Sequence, residues 1–283
     1  MVKRGIPFLL DKSTKIAQSD FMPVIDFHAH IYPEKIAAKA SETISEFYGG
    51  TMAYSGLTRE LLKSGEAIGV THYVIHSTAT KSSQVVSINN FIMGEVEKES
   101  RFIGFGTIHP DFADPEAEIE RILRSGLKGI KLHPDFQTFE ADSPKMDRIY
   151  RQLAFLQLPV LIHAGDSRFD FSHPRRIGRI LDKFPSIRLI AAHFGGYSQW
   201  DEAFEFLAGR DLWLDTSSSF WKMTNDSVLK MIEKHGTGRI LFGSDFPMWD
   251  HKAELQRFLA LGLSEENNKA ILYENALTLL GLR

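Results

Sequence analysis

Asp26-Phe27-His28-Ala29-His30 places two imidazoles and a carboxylate within five residues. Side chains alternate along a strand, so 26, 28 and 30 should share one face. Two imidazoles two residues apart on one face can chelate a single ion, although His-x-His alone is a weak signal. Three further segments support it. Pro159-Val160-Leu161-Ile162-His163 and Leu189-Ile190-Ala191-Ala192-His193-Phe194-Gly195-Gly196 are apolar runs that end in an imidazole. Leu241-Phe242-Gly243-Ser244-Asp245-Phe246-Pro247 ends in a carboxylate. Each by itself reads as a hydrogen-bonded strand end. Gathered in one partly buried place without a cation, they would be poorly paired and costly. A metal site is the expectation, and with no cysteine in the chain its donors must be nitrogen and oxygen.

The elements that would gather them are legible as short apolar runs. Strands are expected near Val24–His28, Thr71–His76, Phe102–His109, Leu127–Leu132, Leu158–His163, Ile187–His193, Leu212–Asp215 and Arg239–Gly243. Their near-continuous apolarity suits strands buried on both faces. Amphipathic stretches at Pro115–Arg124, Met146–Leu156, Arg175–Phe184 and Val228–Lys234 lie between them. Asp114-Pro115 and Ser143-Pro144 are helix-start signals. Strand and helix alternating through eight units predict an α/β fold, a single-domain (β/α)8 TIM barrel. An open doubly wound sheet fits less well, because no Gly-x-Gly-x-x-Gly loop follows the first strand. Residues 1–22 read as an N-terminal extension and 23–283 as the barrel. The segment Gly49–Gly65, rich in Gly, Ser and Thr, is expected to be a loop over the barrel mouth.

In such a barrel the active site is built at the C-terminal strand ends. Of eleven histidines, His28, His30, His76, His109, His133, His163 and His193 fall at or just past those ends. Composition narrows the partners. The 33 Lys and Arg against 36 Asp and Glu leave a net charge of −3, which argues against nucleic-acid binding. Nowhere do about 18 apolar residues run together, so no membrane span is expected. The apolar run Gly5–Leu10 is short for an export signal, so a cytoplasmic protein acting on a small molecule is expected. A homo-oligomer is compatible with all of this.

Here the chain resembles the amidohydrolase superfamily of metal-dependent barrels. The branch is the one that includes aminocarboxymuconate-semialdehyde decarboxylase and related decarboxylases, lactonases and hydratases. Besides the segments above, Gly129-Ile130-Lys131-Leu132-His133-Pro134 and Ile271-Leu272-Tyr273-Glu274-Asn275-Ala276-Leu277 carry the likeness, in the family's order from residue 24 onward. The resemblance implies His28, His30 and His163 as metal ligands. It implies Asp245 as a ligand of the metal or its water and as the proton acceptor. His193 would sit beside the metal and polarise or protonate the substrate. Lys131 lies where two-metal members carry a carboxylated bridging lysine, so Lys131 and His193 are further candidate ligands. One Zn²⁺ is favoured, with two ions or another divalent metal as the alternative.

The expected chemistry is hydrolysis of a small lactone, ester or amide, anionic in character, by water that the metal makes acidic. Non-oxidative decarboxylation of an unsaturated or aromatic acid is the alternative reading. A non-catalytic metal- or ligand-binding barrel is the second alternative, which has no need of the proton-handling pair His193 and Asp245. Arg168 would suit an anionic substrate, and Trp249, Tyr32, Phe136, Tyr197, Phe220 and Trp221 follow strand ends and could wall a pocket. The arginine reads first as a solvated surface residue, and each aromatic equally as ordinary packing under a loop. His76 and His109 read as structural hydrogen-bonding groups, and His173, His235 and His251 as chemically idle. Asp26 is expected to hydrogen-bond within the barrel or to orient a ligand.

Overall fold

The computed structural model describes residues 22–282, and the expected extension therefore lies, but for Met22, outside the described residues. Among them run β1 (Val24–His30), α1 (Ala37–Tyr48), α2 (Thr58–Glu66), β2 (Val70–His76), α3 (Val85–Lys98), β3 (Phe102–Thr107) and α4 (Pro115–Arg124). There follow β4 (Gly129–Leu132), a short α5 (Pro134–Gln137), α6 (Asp147–Leu156), β5 (Val160–Ile162), α7 (Pro174–Lys183), β6 (Leu189–Ala191) and α8 (Trp200–Phe206). The chain continues through β7 (Trp213–Asp215), α9 (Asn225–His235), β8 (Ile240–Leu241) and α10 (His251–Leu259), and ends in further helical turns. The eight strands pair in parallel and in sequence order. The Phe27 amide donates to the Phe242 carbonyl at 2.8 Å, which closes β8 onto β1. This is a single-domain (β/α)8 TIM barrel.

Inward-facing apolar side chains fill the barrel bore. Ile25, Phe27, Val74, Ile103, Phe105, Leu161, Ile190 and Leu241 form one buried cluster, and Ala276, Leu279 and Leu280 join it from the C-terminal helix. Phe27 meets Phe105 edge to face at 5.7 Å. A larger apolar layer, including Val70, Tyr73, Ile119, Ile177 and Val228, joins the strands to the outer helices. The polar groups sit above the apolar bore, at the C-terminal mouth.

Helix starts behave as their sequence signals require. Asp114 Oδ1 accepts from the Ala117 amide at 3.2 Å, with Pro115 in the first helical position. The segment Gly49–Gly65 departs from expectation, because Thr58 onward is α2. Glu60 supplies the start signal that the Gly- and Ser-rich composition hid, its Oε2 accepting from the amides of Ser55 and Leu57. Only residues 49–57 remain a loop, and the amides of Ala53 and Tyr54 pin it to the carbonyls of Met248 and Pro247 beyond β8.

The uniform alternation expected along β1 is also corrected. The register with β2 shifts between Asp26 and Ala29, so the phase of the strand changes there. Asp26 consequently meets the outer helices. Its Oδ2 accepts from His251 Nε2 at 2.9 Å and from Ser244 Oγ at 2.6 Å, while Ser64 of α2 binds the other ring nitrogen of His251. His28 and His30 face the mouth without it.

Candidate active site

Most strand ends contribute a polar group, and a residue of left-handed conformation follows β6, β7 and β8 within four positions. His193 has φ 61°, Ser218 φ 43° and Asp245 φ 59°, left-handed values that are strained for residues with a Cβ. Gly165, two residues past His163, has φ +84°, and a Cβ there would lie 2.4 Å from the Gly196 backbone. Only glycine permits that close approach of the loops after β5 and β6.

The tightest constellation joins β1 and β8. His28 Nε2 lies 3.2 Å from His30 Nε2 and 3.4 Å from Asp245 Oδ1, and His30 Nε2 lies 3.5 Å from the same oxygen. Lys131 Nζ approaches His28 Nε2 at 3.0 Å. Metal–donor bonds of about 2.0–2.2 Å around a tetrahedral ion space the donors by roughly 3.3–3.6 Å. The three spacings fit one small divalent cation.

His28 has its tautomer set from behind. Its Nδ1 lies 2.8 Å from Asp215 Oδ2, and a carboxylate can only accept, so the proton sits on Nδ1 and the Nε2 lone pair faces the cluster. Burial opposes ionisation of Asp215, yet His28 holds its carboxyl far below the usual carboxylate range. Asp215→Asn should therefore misorient His28 and weaken metal affinity by about 10–100-fold. Competition with a chelator measures this, and unchanged affinity would remove Asp215 from the positioning role.

His193 and His163 form a second linked pair. The Ser217 carbonyl, 3.0 Å from His193 Nδ1, can only accept, so His193 Nδ1 carries the proton. His193 Nε2 then accepts from His163 Nδ1 at 2.9 Å, which leaves a lone pair on His163 Nε2. That nitrogen is buried without a hydrogen-bond partner among the described residues, 3.6 Å from Asp135 Oδ2. Burial raises the Asp135 pKa to about 7. His133, Asp135 and His163 offer donor atoms within 4.8 Å of one another. The rings of His133 and His163 nevertheless stack 3.9 Å apart at 9°. An ion lies in the plane of each imidazole it binds, so these two parallel rings cannot share one.

A small cavity of about 30 Å³ collects the groups that expectation placed together, with His30, His163, His193 and Asp245 on its walls. His133, Tyr32, Tyr48, Met52 and Phe136 line it as well. Burial and the neighbouring Lys131 and imidazoles hold His133 well below the ordinary histidine value. Burial raises the pKa of Asp245, but His28, His30 and His193 outweigh it and keep the carboxylate ionised. Burial lowers Lys131 to about 8.

Other expected residues have different surroundings. Arg168 is paired with Asp166, donates to the Phe47 carbonyl and lies 4.4 Å over the Phe47 ring, so it ties the end of α1 to the loop after β5. Trp249 Nε1 donates to Ser218 Oγ at 2.8 Å, and Ser218 in turn donates to Asp245 Oδ2. Tyr197 packs on His163 and His193, each at 5.6 Å. Phe220 packs on Phe194, and Trp221 on Tyr197. His109 accepts from the Asp111 amide, as a structural histidine would. His76 does not fit that role. It is fully buried and neither ring nitrogen has a partner among the described residues, because its neighbours are the rings of His28 and His30 at 4.9 and 4.4 Å.

Asp215, Ser217, Ser218, Asp135 and Tyr48 were not singled out from sequence. Asp215 alone carried a signal, since it ends an apolar run just as Asp245 does. Tyr48 reaches His133 Nε2 at 3.0 Å because α1 crosses the mouth.

Burial also makes a pH response. It lowers His30, His193 and His235 from 6.5 to about 4. Between those values the unfolded chain takes up protons that the folded chain refuses, so stability is full above pH 6.5 and falls toward pH 4. Metal-free protein should melt at progressively lower temperature across that window. A flat profile would mean these imidazoles are not held neutral.

An eight-stranded barrel with imidazoles and carboxylates at its C-terminal mouth defines a class, the TIM barrels whose strand-end donors suit a divalent cation. A sequence model of the amidohydrolase family matches residues 25–282, and the chain belongs to that family. It is an enzyme of a metal-dependent family, of hydrolase or decarboxylase type. Solved structures similar in fold include a dihydroxybenzoic acid decarboxylase from Polaromonas sp. JS666 with bound manganese and the inhibitor 2-nitroresorcinol. It is 18% identical with a TM-score of 0.73, over 92% of this chain and 97% of that one. The 5-carboxyvanillate decarboxylase of Sphingomonas paucimobilis is 15% identical with a TM-score of 0.71, over 92% and 99%. A proposed 2-pyrone-4,6-dicarboxylic acid hydrolase from Pseudomonas putida is 18% identical with a TM-score of 0.65, over 93% and 98%. Among the described residues no helix is long and apolar enough to cross a membrane.

Proposed function

We propose that this protein is a metal-dependent hydrolase of a small neutral carbonyl compound, a lactone, ester or amide. The observation that carries the reading is the triangle of His28 Nε2, His30 Nε2 and Asp245 Oδ1, with edges of 3.2–3.5 Å. These three would hold one ion, for which we propose zinc, and His163 would add its unpartnered Nε2 from the cavity wall. When bound, the ion supplies Lewis acidity that polarises a carbonyl and brings the pKa of water toward about 7. Lys131 stands against His28 as a buried amine rather than as an assigned ligand.

Asp245 performs the proton transfer. Its Oδ1 is a corner of the triangle, while Oδ2 accepts from Ser218 and keeps a second lone pair as the ionised acceptor. It takes a proton from water as the oxygen bonds to the carbonyl carbon, then delivers that proton to the leaving oxygen or nitrogen. His193, on the same wall, stabilises the charge that develops on the carbonyl oxygen. Among the described residues no arginine or lysine lines the cavity, which favours an uncharged substrate over the anionic one expected from sequence.

Loss of CO₂ from an unsaturated acid is the second reading, supported by the likeness in fold to two decarboxylases. Zinc-loaded protein tested on lactones and esters in a pH-stat and on amides by amine release, with CO₂ trapped from hydroxybenzoates in parallel, separates the two. Acid release without CO₂ is expected. CO₂ release alone would install the second reading, and neither product would overturn both.

A further inference from the structure

The cavity at His30 and Asp245, about 30 Å³, has room for a group the size of water and not for a whole organic substrate. It shares His30, Tyr32, Ile44 and Phe136 with an adjoining space of about 560 Å³. That space lies between α1 and the segment from the end of β2 to α3. Ile36, Ala40, Ile44 and Phe47 form one wall, and Ile88 and Phe91 the other. Hydroxyls of Thr43, Ser77, Thr78 and Ser87 are scattered along it, and Thr78 Oγ1 is buried without a partner among the described residues. No carboxylate lines it among those residues, and Lys39 is its one charged member.

We propose that this groove binds the apolar body of the same molecule whose carbonyl reacts at His30 and Asp245. The substrate is then an amphiphile, with a hydrolysable carbonyl head on a hydrocarbon or aryl-alkyl body. This rests on the hydrolase reading above and extends it to a substrate class. The shared wall points to the occupant, because a molecule seated at Asp245 that extends past Ile44 and Phe136 enters this space. Its size falls in the range of about 300–1,000 Å³ typical of small-molecule sites, which are mostly apolar with a few polar fixing groups. A small polar substrate would leave these apolar walls facing water.

The test uses straight-chain hydroxamates, from acetohydroxamate to octanohydroxamate, titrated into the zinc-loaded full chain by calorimetry. Acetohydroxamate reads the metal centre alone. Longer members should bind more tightly by about fourfold for each methylene that enters the groove. Ala40→Trp and Ile88→Trp fill the groove from opposite walls, and each should collapse the ratio of octanohydroxamate to acetohydroxamate affinity. If acetohydroxamate binds and added methylenes contribute nothing in the unaltered protein, the groove proposal fails while the metal-centre reading stands. If acetohydroxamate does not bind, both fall together. A gain with chain length that survives in a folded Trp variant would place the apolar site elsewhere.

Discussion

Asp245→Asn should reduce kcat by about 10²–10⁴-fold, the range that general acid–base groups command. Asparagine keeps the size and outline of the side chain but removes its capacity to accept a proton. It also disturbs the local hydrogen bonds, because Ser218 donates to Asp245 Oδ2 and Trp249 donates to Ser218. An amide either turns its oxygen to Ser218 and its NH₂ to the imidazoles, or leaves two donors face to face. Ser218→Ala, by contrast, leaves the carboxylate in place and removes only its tether, so a smaller loss is expected. Metal content measured alongside turnover separates a missing proton acceptor from a missing ligand. Turnover by Asp245→Asn within about tenfold of the parent would show that the carboxylate is not the base.

The second large effect is on metal retention. His28→Ala combined with His30→Ala removes two of the three donors in the tight triangle, and affinity should fall by more than the roughly 100-fold assigned to loss of an outer partner. Activity should vanish with the ion. The fold should survive, because the bore is filled by Ile25, Phe27, Phe105, Leu161 and their neighbours below the polar layer. Far-ultraviolet circular dichroism and elemental analysis, taken together, check both statements. A folded double variant that still carries one ion per chain would move the metal centre away from β1. The His133, Asp135 and His163 set could not simply take over, given its stacked rings.

Much of this was legible because the relevant signals are local. The apolar runs that end in His163, His193 and Asp245 announce buried strands whatever their neighbours are. The order of a barrel follows from regular alternation, since right-handed crossovers leave little choice. The orientation of Asp26 was not legible. A bulge changes the phase of β1, and nothing in Asp-Phe-His-Ala-His marks it. His76 looked like any other strand-end histidine, and only the closed barrel shows it wedged against His28 and His30 without a hydrogen bond.

The sequence by itself determined the strand count, the face on which polar groups collect, and the residue types able to hold a cation. Tertiary structure decided which of those groups meet. His28 and Asp215 stand 187 positions apart yet bond at 2.8 Å, and Arg168 is tied to Asp166 and Phe47 instead of lining the cavity. Periodicity reports which way a side chain points relative to its own strand. It carries no information about the partner that closure of the barrel, or the passage of α1 across its mouth, will bring opposite.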